Sequence, residues 1–342
     1  MAATTVPSRT LGKNGPAIAP MGLGLMSLCG VYGQSPSLED QFKLLDHAVE
    51  IGETFWDTSD AYLDNAEVLS QWFKRSGNRD KIFLASKFGL VMGDDLKLKG
   101  VDTSAEYCKK ACNDNLKRLG IECIDLYYAH RLNADTPVEE TMRAMAELQA
   151  EGKIKHIGLC GASSNALRRA CKIAPVAAVQ VEYSAFVLNV ENEKGTNILQ
   201  TCRELGVALV CYGPIGRGLL TGTIKGAESV SGGKDIRGTM IARFKEENMA
   251  QSLKVVEHFK TVADQKGCTP SQLAIAWLLK QGNDIIPIPG TRKIQNLDQN
   301  WGSLGVSITE EEEAEIRRII GAAKLDGFEP SPIDFQDTKE VV

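Results

Sequence analysis

The sequence predicts an α/β protein whose fold is a single closed (β/α)8 barrel, the TIM barrel. Eight short apolar runs alternate along the chain with amphipathic helical segments. The runs are apolar at successive positions, which is typical of parallel strands that helices cover. A chain of 342 residues fits a barrel of this kind as one domain, and no linker, internal repeat or low-complexity tract divides it.

The elements follow one another in a regular order. Before the first strand, Asn14, Gly15 and Pro16 predict the turn of an N-terminal β-hairpin. The predicted strands, each given with the number of its first residue, are MGLGL at 21, TFWDT at 54, IFLASK at 82, IDLYYAH at 124, HIGLC at 156, AAVQVEY at 177, VALVCY at 207 and DIIPIPG at 284.

Helix start signals stand between the strands. Ser37 precedes LEDQFKLLDHAVEIG and Thr103 precedes SAEYCKKACNDNLKRLG, each with an acidic residue in the first turn and a glycine at the end. Two additions to the barrel are expected. One is a long loop over residues 221 to 250, rich in glycine and charge. The other is extra C-terminal helices, including the acidic final helix in ITEEEEAEIRRIIGAA.

Composition narrows the function classes. A formal net charge of -5 gives no reason to expect nucleic acid or an anionic membrane as a partner. No run of about 18 apolar residues spans a bilayer, and the N-terminus lacks a secretory pattern. The nine cysteines form no C-x-x-C pair, which favours a reducing compartment. We therefore expect a cytoplasmic protein.

Four ionisable residues follow consecutive predicted strands: Asp57 and Tyr62 the second, Lys87 the third and His130 the fourth. Carboxyl ends of barrel strands carry the reactive groups in such folds. Any one of these residues alone is typical of a cap or an ion pair. Together they predict a proton-delivery site, in which a lysine lowers the pKa of a tyrosine, an aspartate balances the lysine, and a histidine orients a substrate oxygen.

A series of motifs resembles the aldo-keto reductase family, closest to its microbial and plant branch of long-chain, pyridoxal-reductase-like members. In order they are LGKNGPAIAPMGLGLMS, FWDTSDAY, LASKFG, DLYYAHR, KIKHIGLCGAS, VQVEYS, CYGPIGRGLLTG and IIPIPGTRKIQNLDQNWG. The likeness covers residues 8 to 325 of a domain expected to span 1 to 342. It implies reduction of an aldehyde or ketone with NADPH, NADH being possible, and a tetrad of Asp57, Tyr62, Lys87 and His130.

The resemblance also implies cofactor and substrate contacts. Gln180 binds the nicotinamide carboxamide, Tyr212 stacks on the ring, and the loop from Gly213 to Gly218 meets the pyrophosphate with its backbone N–H groups and Arg217. Arg292 or Lys293 meets a 2′-phosphate, since such an anion needs a cation. The full set of implied cofactor residues is Met26, Cys160, Gln180, Tyr212, Gly213, Pro214, Ile215, Gly216, Arg217, Gly290, Arg292, Asn296, Gln299 and Asn300. Tyr32 and Phe186 are the candidates for the substrate pocket.

The chain departs from the family pattern at three places. Cys160-Gly161 replaces a Ser-Asn or Ser-Glu pair, Asn296 and Gln299 replace a basic residue and a glutamate, and Gly213 replaces a serine. Cys108 and Cys112 lie four apart on a helix, and because Leu116 and Leu119 continue their stripe, we expect core packing rather than metal binding.

Two other function classes remain open at this point. One is an NADPH-binding regulatory subunit of the potassium-channel β type, with little turnover. The other keeps the barrel but makes Lys87 a Schiff-base lysine of an isomerase. If the protein is a reductase, its expected partner is a small-molecule carbonyl compound. Gly22 and Gly24 are no dinucleotide fingerprint, because residue 27, where the third glycine belongs, is serine.

Overall fold

The computed structural model describes residues 7–30, 32–93, 97–230, 235, 237–323 and 333–340. Eight parallel strands pair with their neighbours in chain order. They are β1 Leu23–Gly24, β2 Phe55–Asp57, β3 Phe83–Phe88, β4 Ile124–Ala129, β5 Ile154–Cys160, β6 Val176–Glu182, β7 Ala208–Tyr212 and β8 Ile285–Pro287. All eight predicted strands are confirmed.

Hydrogen bonds close the sheet into a barrel. Beside β1, the N–H of Gly22 donates to the carbonyl of Pro287 over 2.9 Å, and that of Gly24 donates to Pro289 over 3.1 Å. These bonds join the first strand to the eighth. The predicted (β/α)8 barrel is therefore the observed fold.

Helices cover the outside of the barrel. They are α1 Leu38–Ile51, α2 Asn65–Ser76, α3 Ala105–Leu119, α4 Val138–Ala150, α5 Ser164–Ala170, α6 Ile198–Leu205, α7 Arg237–Met240, α8 Glu246–Lys266, α9 Pro270–Lys280, α10 Ile294–Trp301 and α11 Glu310–Ala322. Helix α9 packs on β8 and on α10, so it is the helix of the seventh unit. Helix α8, which precedes α9, and helix α11, which follows α10, are extra and contact each other. Helix α11 confirms the expected C-terminal helix, whereas α8 is an internal addition.

One predicted helix start is confirmed and one is corrected. Ser37 accepts a hydrogen bond from the N–H of Asp40 at the start of α1. Helix α3 is capped by Ser104 rather than by Thr103, because the Ser104 hydroxyl accepts from the N–H of Tyr107 over 3.3 Å, whereas the hydroxyl of buried Thr103 accepts from the N–H of Asn133 over 3.4 Å. Both helices end on a glycine with a left-handed backbone, as the sequence indicates.

The N-terminal hairpin closes the end of the barrel at which the strands begin. Arg9–Thr10 and Ala17–Ile18 pair as the predicted N-terminal hairpin. Its buried Leu11 and Ile18 pack with side chains of the barrel interior such as Leu126 and Val210. Since the N–H of Lys13 also bonds the carbonyl of Gly206 ahead of β7, the hairpin covers the amino end. The carboxyl end is left as the open face.

The predicted loop over 221 to 250 is partly wrong. It contains helical turns at Ala227–Val230, Arg237–Met240 and Ala242–Phe244, and α8 already begins at Glu246. The reason is burial, because Val230 and Phe244 are held in the core. Residues 231–234 and 236 of that prediction lie outside the described residues. A second hairpin, Leu90–Met92 with Leu98–Val101, follows β3 and was not predicted.

Cys108 and Cys112 are both fully buried in the layer between helices and sheet, which confirms their assignment to core packing. Among the described helices, none is long and apolar enough to cross a membrane.

Candidate active site

A cavity of about 470 Å³ opens at the carboxyl end of the barrel. Three of the four predicted proton-delivery residues line it, together with most of the predicted cofactor residues. The predicted residues on its wall are Met26, Tyr32, Asp57, Tyr62, His130, Gln180, Tyr212, Gly213, Pro214, Ile215, Arg217, Gly290, Arg292 and Asn296. Lys87 lies beneath the wall with 0% of its side chain exposed.

Asp57 and Lys87 form a buried ion pair at the ends of neighbouring strands. The ammonium of Lys87 contacts the Oδ1 of Asp57 and donates to the carbonyl of Thr58 over 2.7 Å. Burial works against its charge, yet Asp57 and Tyr62 raise the pKa of Lys87 above its ordinary value. The second oxygen of Asp57 accepts from the amide of Gln180 over 2.7 Å. Lys87 is therefore a protonated ammonium held in place on two sides.

Tyr62 lies above this ion pair. Its hydroxyl is 3.5 Å from the Nζ of Lys87, which also lies 5.0 Å from the centre of the tyrosine ring. Burial raises the pKa of Tyr62 to about 12, and Lys87 opposes that rise without overcoming it. The lysine lowers the pKa of the tyrosine, as expected, but burial has the larger effect and the net shift is upward. The phenol is therefore protonated at neutral pH and has a proton to donate.

His130 follows β4 and meets Tyr62 edge to face, with the ring centres 5.9 Å apart. Burial, Lys87 and Arg131 hold the pKa of His130 well below its ordinary value, so the imidazole is neutral. Its Nδ1 lies 3.0 Å from the hydroxyl of Ser59. A neutral imidazole has one N–H, and its position decides what the ring can donate to.

Tyr212, at the end of β7, is held by a residue that the sequence did not single out. The guanidinium of Arg131 is 3.5 Å from its hydroxyl and donates to the carbonyl of His130 over 2.7 Å. Arg131 in turn pairs with Asp334 over 3.1 Å. Asp334 belongs to the segment 333–340, whose Gln336 exchanges backbone hydrogen bonds with the chain after β5. The C-terminal segment therefore reaches the end of the cavity that holds Tyr62, Lys87 and His130, which we call the reactive end.

The loop after β7, whose backbone N–H groups and Arg217 are the implied pyrophosphate contacts, contains left-handed turns and has several of its donors engaged within the protein. Gly213, Gly216 and Arg217 have positive φ angles of 64°, 60° and 58°. The N–H of Gly216 already donates to the carbonyl of Gly213, and Arg217 pairs with Glu182 over 2.8 Å. Buried Arg243 contacts the same carboxylate. Part of the predicted phosphate contact is therefore committed within the protein.

The opposite end of the cavity, which we call the far end, is more exposed to solvent than the reactive end. Arg292, Lys293 and Asn296 line it, at and before the start of α10. Arg292 donates one N–H to the carbonyl of Gln34 over 2.6 Å, which places its guanidinium beside the loop after β1. A guanidinium has five N–H donors, so it retains others for a ligand.

Five predicted residues besides Lys87 are not on the cavity wall, and they are Cys160, Gly216, Gln299, Asn300 and Phe186. Cys160 is in the barrel interior, where burial raises its pKa to about 12. Phe186 is only 2% exposed and packs in the core beside Gly216. The wall also contains residues that sequence reasoning missed, namely Ser27, Arg131, Thr221, Thr223, Arg237 and Thr291. Only Arg131 had a sequence signal, its place directly after His130.

Comparison with known proteins assigns the class. The model of the aldo/keto reductase family matches residues 20–320. The chain therefore belongs to the aldo-keto reductases, a family of oxidoreductases, as the motifs indicate.

Particular relatives agree over nearly the whole chain. Aldo-keto reductase str7 of Strobilurus tenacellus is 42% identical over 327 residues, which are 94% of each protein. Aldo-keto reductase yakc [NADP(+)] of Schizosaccharomyces pombe is 40% identical over 330 residues, 96% of this chain and 95% of the relative.

Two solved structures share the fold. The glycerol dehydrogenase AKR11B4 of Gluconobacter oxydans is 24% identical with a TM-score of 0.82, over 96% of this chain and 99% of that one. Aldo-keto reductase AKR11C1 of Bacillus halodurans, in its holo form, is 23% identical with a TM-score of 0.74, over 92% and 96%.

Proposed function

We propose that the protein reduces an aldehyde or a ketone to an alcohol with NADPH, in a reversible reaction in which Tyr62 is the general acid. The observation that carries this proposal is the protonated phenol of Tyr62, 3.5 Å from an ammonium that Asp57 holds, beside a neutral His130. The NADP(+) in the name of the fission-yeast relative supports the choice of cofactor.

The cavity residues fit an extended dinucleotide. At the reactive end, Gln180 offers amide groups and Tyr212 an aromatic face, which suit a nicotinamide carboxamide and ring. At the far end, Arg292 and Lys293 suit a 2′-phosphate. NADH lacks that phosphate and is accepted less well if these cations contribute.

The middle of the cavity has a net positive charge, which suits a pyrophosphate. Arg217 and Arg237 line the cavity with Glu182 and Asp235 as their carboxylate partners, and buried Arg243, which is not on the wall, pairs with the same Glu182. The described part of this cluster retains one positive charge. That charge favours an anionic ligand although each arginine already has a partner.

The residues divide the chemistry among them. NADPH, when bound, supplies the hydride for the carbonyl carbon. Tyr62 gives its proton to the carbonyl oxygen, and the negative charge that develops on the phenol oxygen is stabilised by the ammonium of Lys87. Asp57 keeps Lys87 charged and in place. His130 orients the carbonyl oxygen with a hydrogen bond, provided that its N–H points to the cavity.

The Schiff-base reading loses support from the same contacts. Lys87 is a buried ammonium with Asp57 and Thr58 as partners, whereas an attacking amine must be neutral. A regulatory subunit has no need of a complete proton-delivery set, so turnover is the expected property.

The test is Tyr62→Phe, assayed by NADPH consumption with a simple aromatic aldehyde. We expect kcat to fall by about 10²- to 10⁴-fold, the usual contribution of a general acid, while the Kd for NADPH stays within about twofold. Tyr127→Phe is the matched control, because it removes a hydroxyl that is buried in the core and has no hydrogen-bond partner among the described residues. Wild-type turnover in Tyr62→Phe would show that the assigned acid is wrong.

A further inference from the structure

Two polar residues between Asp57 and Tyr62 have no part in the proposed chemistry so far. They are Ser59, which is buried, and Asp60, which follows it. The hydroxyl of Ser59 lies 3.0 Å from the Nδ1 of His130 and 3.2 Å from the Oδ1 of Asp60. It also accepts from the N–H of Ala61 over 3.2 Å. Ser59 therefore connects a carboxyl group to the imidazole.

The number of hydrogens available limits this connection. A serine hydroxyl has one hydrogen to donate, and Ala61 occupies one of its lone pairs. That hydrogen goes either to Asp60 or to His130. Because the imidazole is neutral, it also carries one hydrogen, on Nδ1 or on Nε2. Two complete arrangements follow.

The charge on Asp60 distinguishes the two arrangements. An ionised Asp60 only accepts, so it attracts the hydrogen of Ser59, and the Nδ1–H of His130 then donates to the serine oxygen. A neutral Asp60 makes the weaker acceptor and can itself donate to Ser59, which frees the serine hydrogen for Nδ1. The imidazole hydrogen then resides on Nε2. In this exchange one proton leaves Nδ1 and one reaches Nε2 through the cavity, so the ring stays neutral.

We infer that Asp60, Ser59 and His130 form a hydrogen-bond relay through which the charge on Asp60 selects the ring nitrogen of His130 that carries hydrogen. Asp60 and Ser59 are positioning residues in this relay, since they act through His130. Its consequence for turnover rests on the proposed function. With Nδ1 facing Ser59, only the Nε2–H arrangement leaves His130 a donor for a carbonyl oxygen in the cavity.

The surroundings of Asp60 place its titration in an accessible range. Burial raises the pKa of Asp60 to about 6, while the bonds from Ser59 and Ala61 and the charges of Arg118 and Lys87 lower it. Arg118, on α3, donates to the backbone carbonyl of Asp60 over 2.9 Å. Among the described residues, the other titratable groups facing it are Tyr107 on α3 and Tyr127 on β4, which are uncharged phenols at neutral pH. Above about pH 6 the carboxylate holds the relay in the Nδ1–H arrangement, and below it the Nε2–H arrangement prevails.

Nitrogen NMR of the full chain tests the relay without reference to turnover. The sequence has four histidines, and His130→Gln assigns the signals of His130. We expect the protonated and bare ring nitrogens of His130 to exchange places as pH falls through about 6. Asp60→Asn removes the charge and is expected to keep the hydrogen on Nε2 at every pH. The signals of exposed His258 serve as the internal control, because Asp60→Asn should leave them unchanged.

A double variant separates a relay from a direct charge effect. With Ser59→Ala in place, adding Asp60→Asn should no longer change the hydrogen position in His130. Two results would overturn the inference. One is that the ring hydrogen of His130 stays on the same nitrogen while Asp60 titrates, and the other is that Asp60→Asn still moves it in the Ser59→Ala background.

Turnover gives the second arm. For carbonyl reduction, kcat/KM should fall as pH rises through about 6, by roughly tenfold, and Asp60→Asn should abolish this fall while KM for NADPH is unchanged. A chain that reduces no carbonyl compound would contradict the proposed function, and the NMR arm would still decide the relay.

Discussion

The two ends of the cavity differ in how their charges are held. At the reactive end, Lys87 and Asp57 are buried and bound to each other, and Arg131 is bound to Asp334. At the far end, Lys293 is exposed and Arg292 is held to the protein through a backbone carbonyl. A buried charge depends on its partner, whereas an exposed one is solvated by water. The protonation states of the reactive end are therefore set by the fold, and the far end contributes mainly through the ligand that we propose it binds.

The largest expected effect comes from breaking the buried pair with Lys87→Met. This change leaves the carboxylate of Asp57 uncompensated, so we expect a loss of about 3–5 kcal/mol in the free energy of unfolding and a fall in kcat of at least about 10²-fold. Urea unfolding and NADPH consumption measure the two effects.

The matched control is Lys260→Met, which breaks a pair with Asp264 in which both side chains are 60% exposed. It should cost less than about 1 kcal/mol. Adding Asp57→Asn to Lys87→Met should restore part of the stability but none of the activity. Equal losses in the two lysine variants would remove the distinction between the buried and the exposed pairs.

A medium effect is expected where the C-terminal segment meets the reactive end. Asp334→Ala leaves Arg131 without its carboxylate partner, and Arg131 contacts both Tyr212 and the carbonyl of His130. We expect kcat/KM to fall roughly tenfold, with most of the change in the binding of NADPH, since Tyr212 is the proposed platform of the nicotinamide.

Asp337→Ala is the control for this prediction. Asp337 belongs to the same segment but accepts from Asn165 on α5 over 2.7 Å, so its loss loosens the segment without touching Arg131. A fall of the same size in both variants would assign the effect to docking of the segment as a whole.

The sequence predicts the regions of this molecule unequally, for physical reasons. The strands were found because an apolar run is a local signal. Asp57, Lys87 and His130 were found because they stand at strand ends, where the barrel brings distant residues together. The ion pairs Glu182–Arg217 and Arg131–Asp334 were not predicted. Each joins segments that meet only because of the path of a loop, and the spacing of residues in the sequence does not indicate that path.

Packing explains two features of the site that the sequence does not predict. Phe186 is in the core because Gly216 has no side chain, and an added Cβ there would lie 2.9 Å from the phenylalanine ring. The resting pKa of Tyr62 is raised because burial outweighs a lysine 3.5 Å away. Both depend on the amount of surrounding protein, which a list of residue types does not give.

The smallest expected effect belongs to the far end. Arg292→Ala should weaken NADPH binding about tenfold, the worth of one charge-assisted contact, and leave NADH binding and the unfolding free energy nearly unchanged. Titration of both cofactors by fluorescence measures the ratio, and Lys293→Ala separates the two cations. Because Arg292 also bonds the carbonyl of Gln34, an equal loss for NADH would mean that it orders the loop after β1 instead of meeting a phosphate. A loss confined to NADPH would place the choice between the two cofactors on exposed side chains, outside the buried network to which we assign the proton transfer.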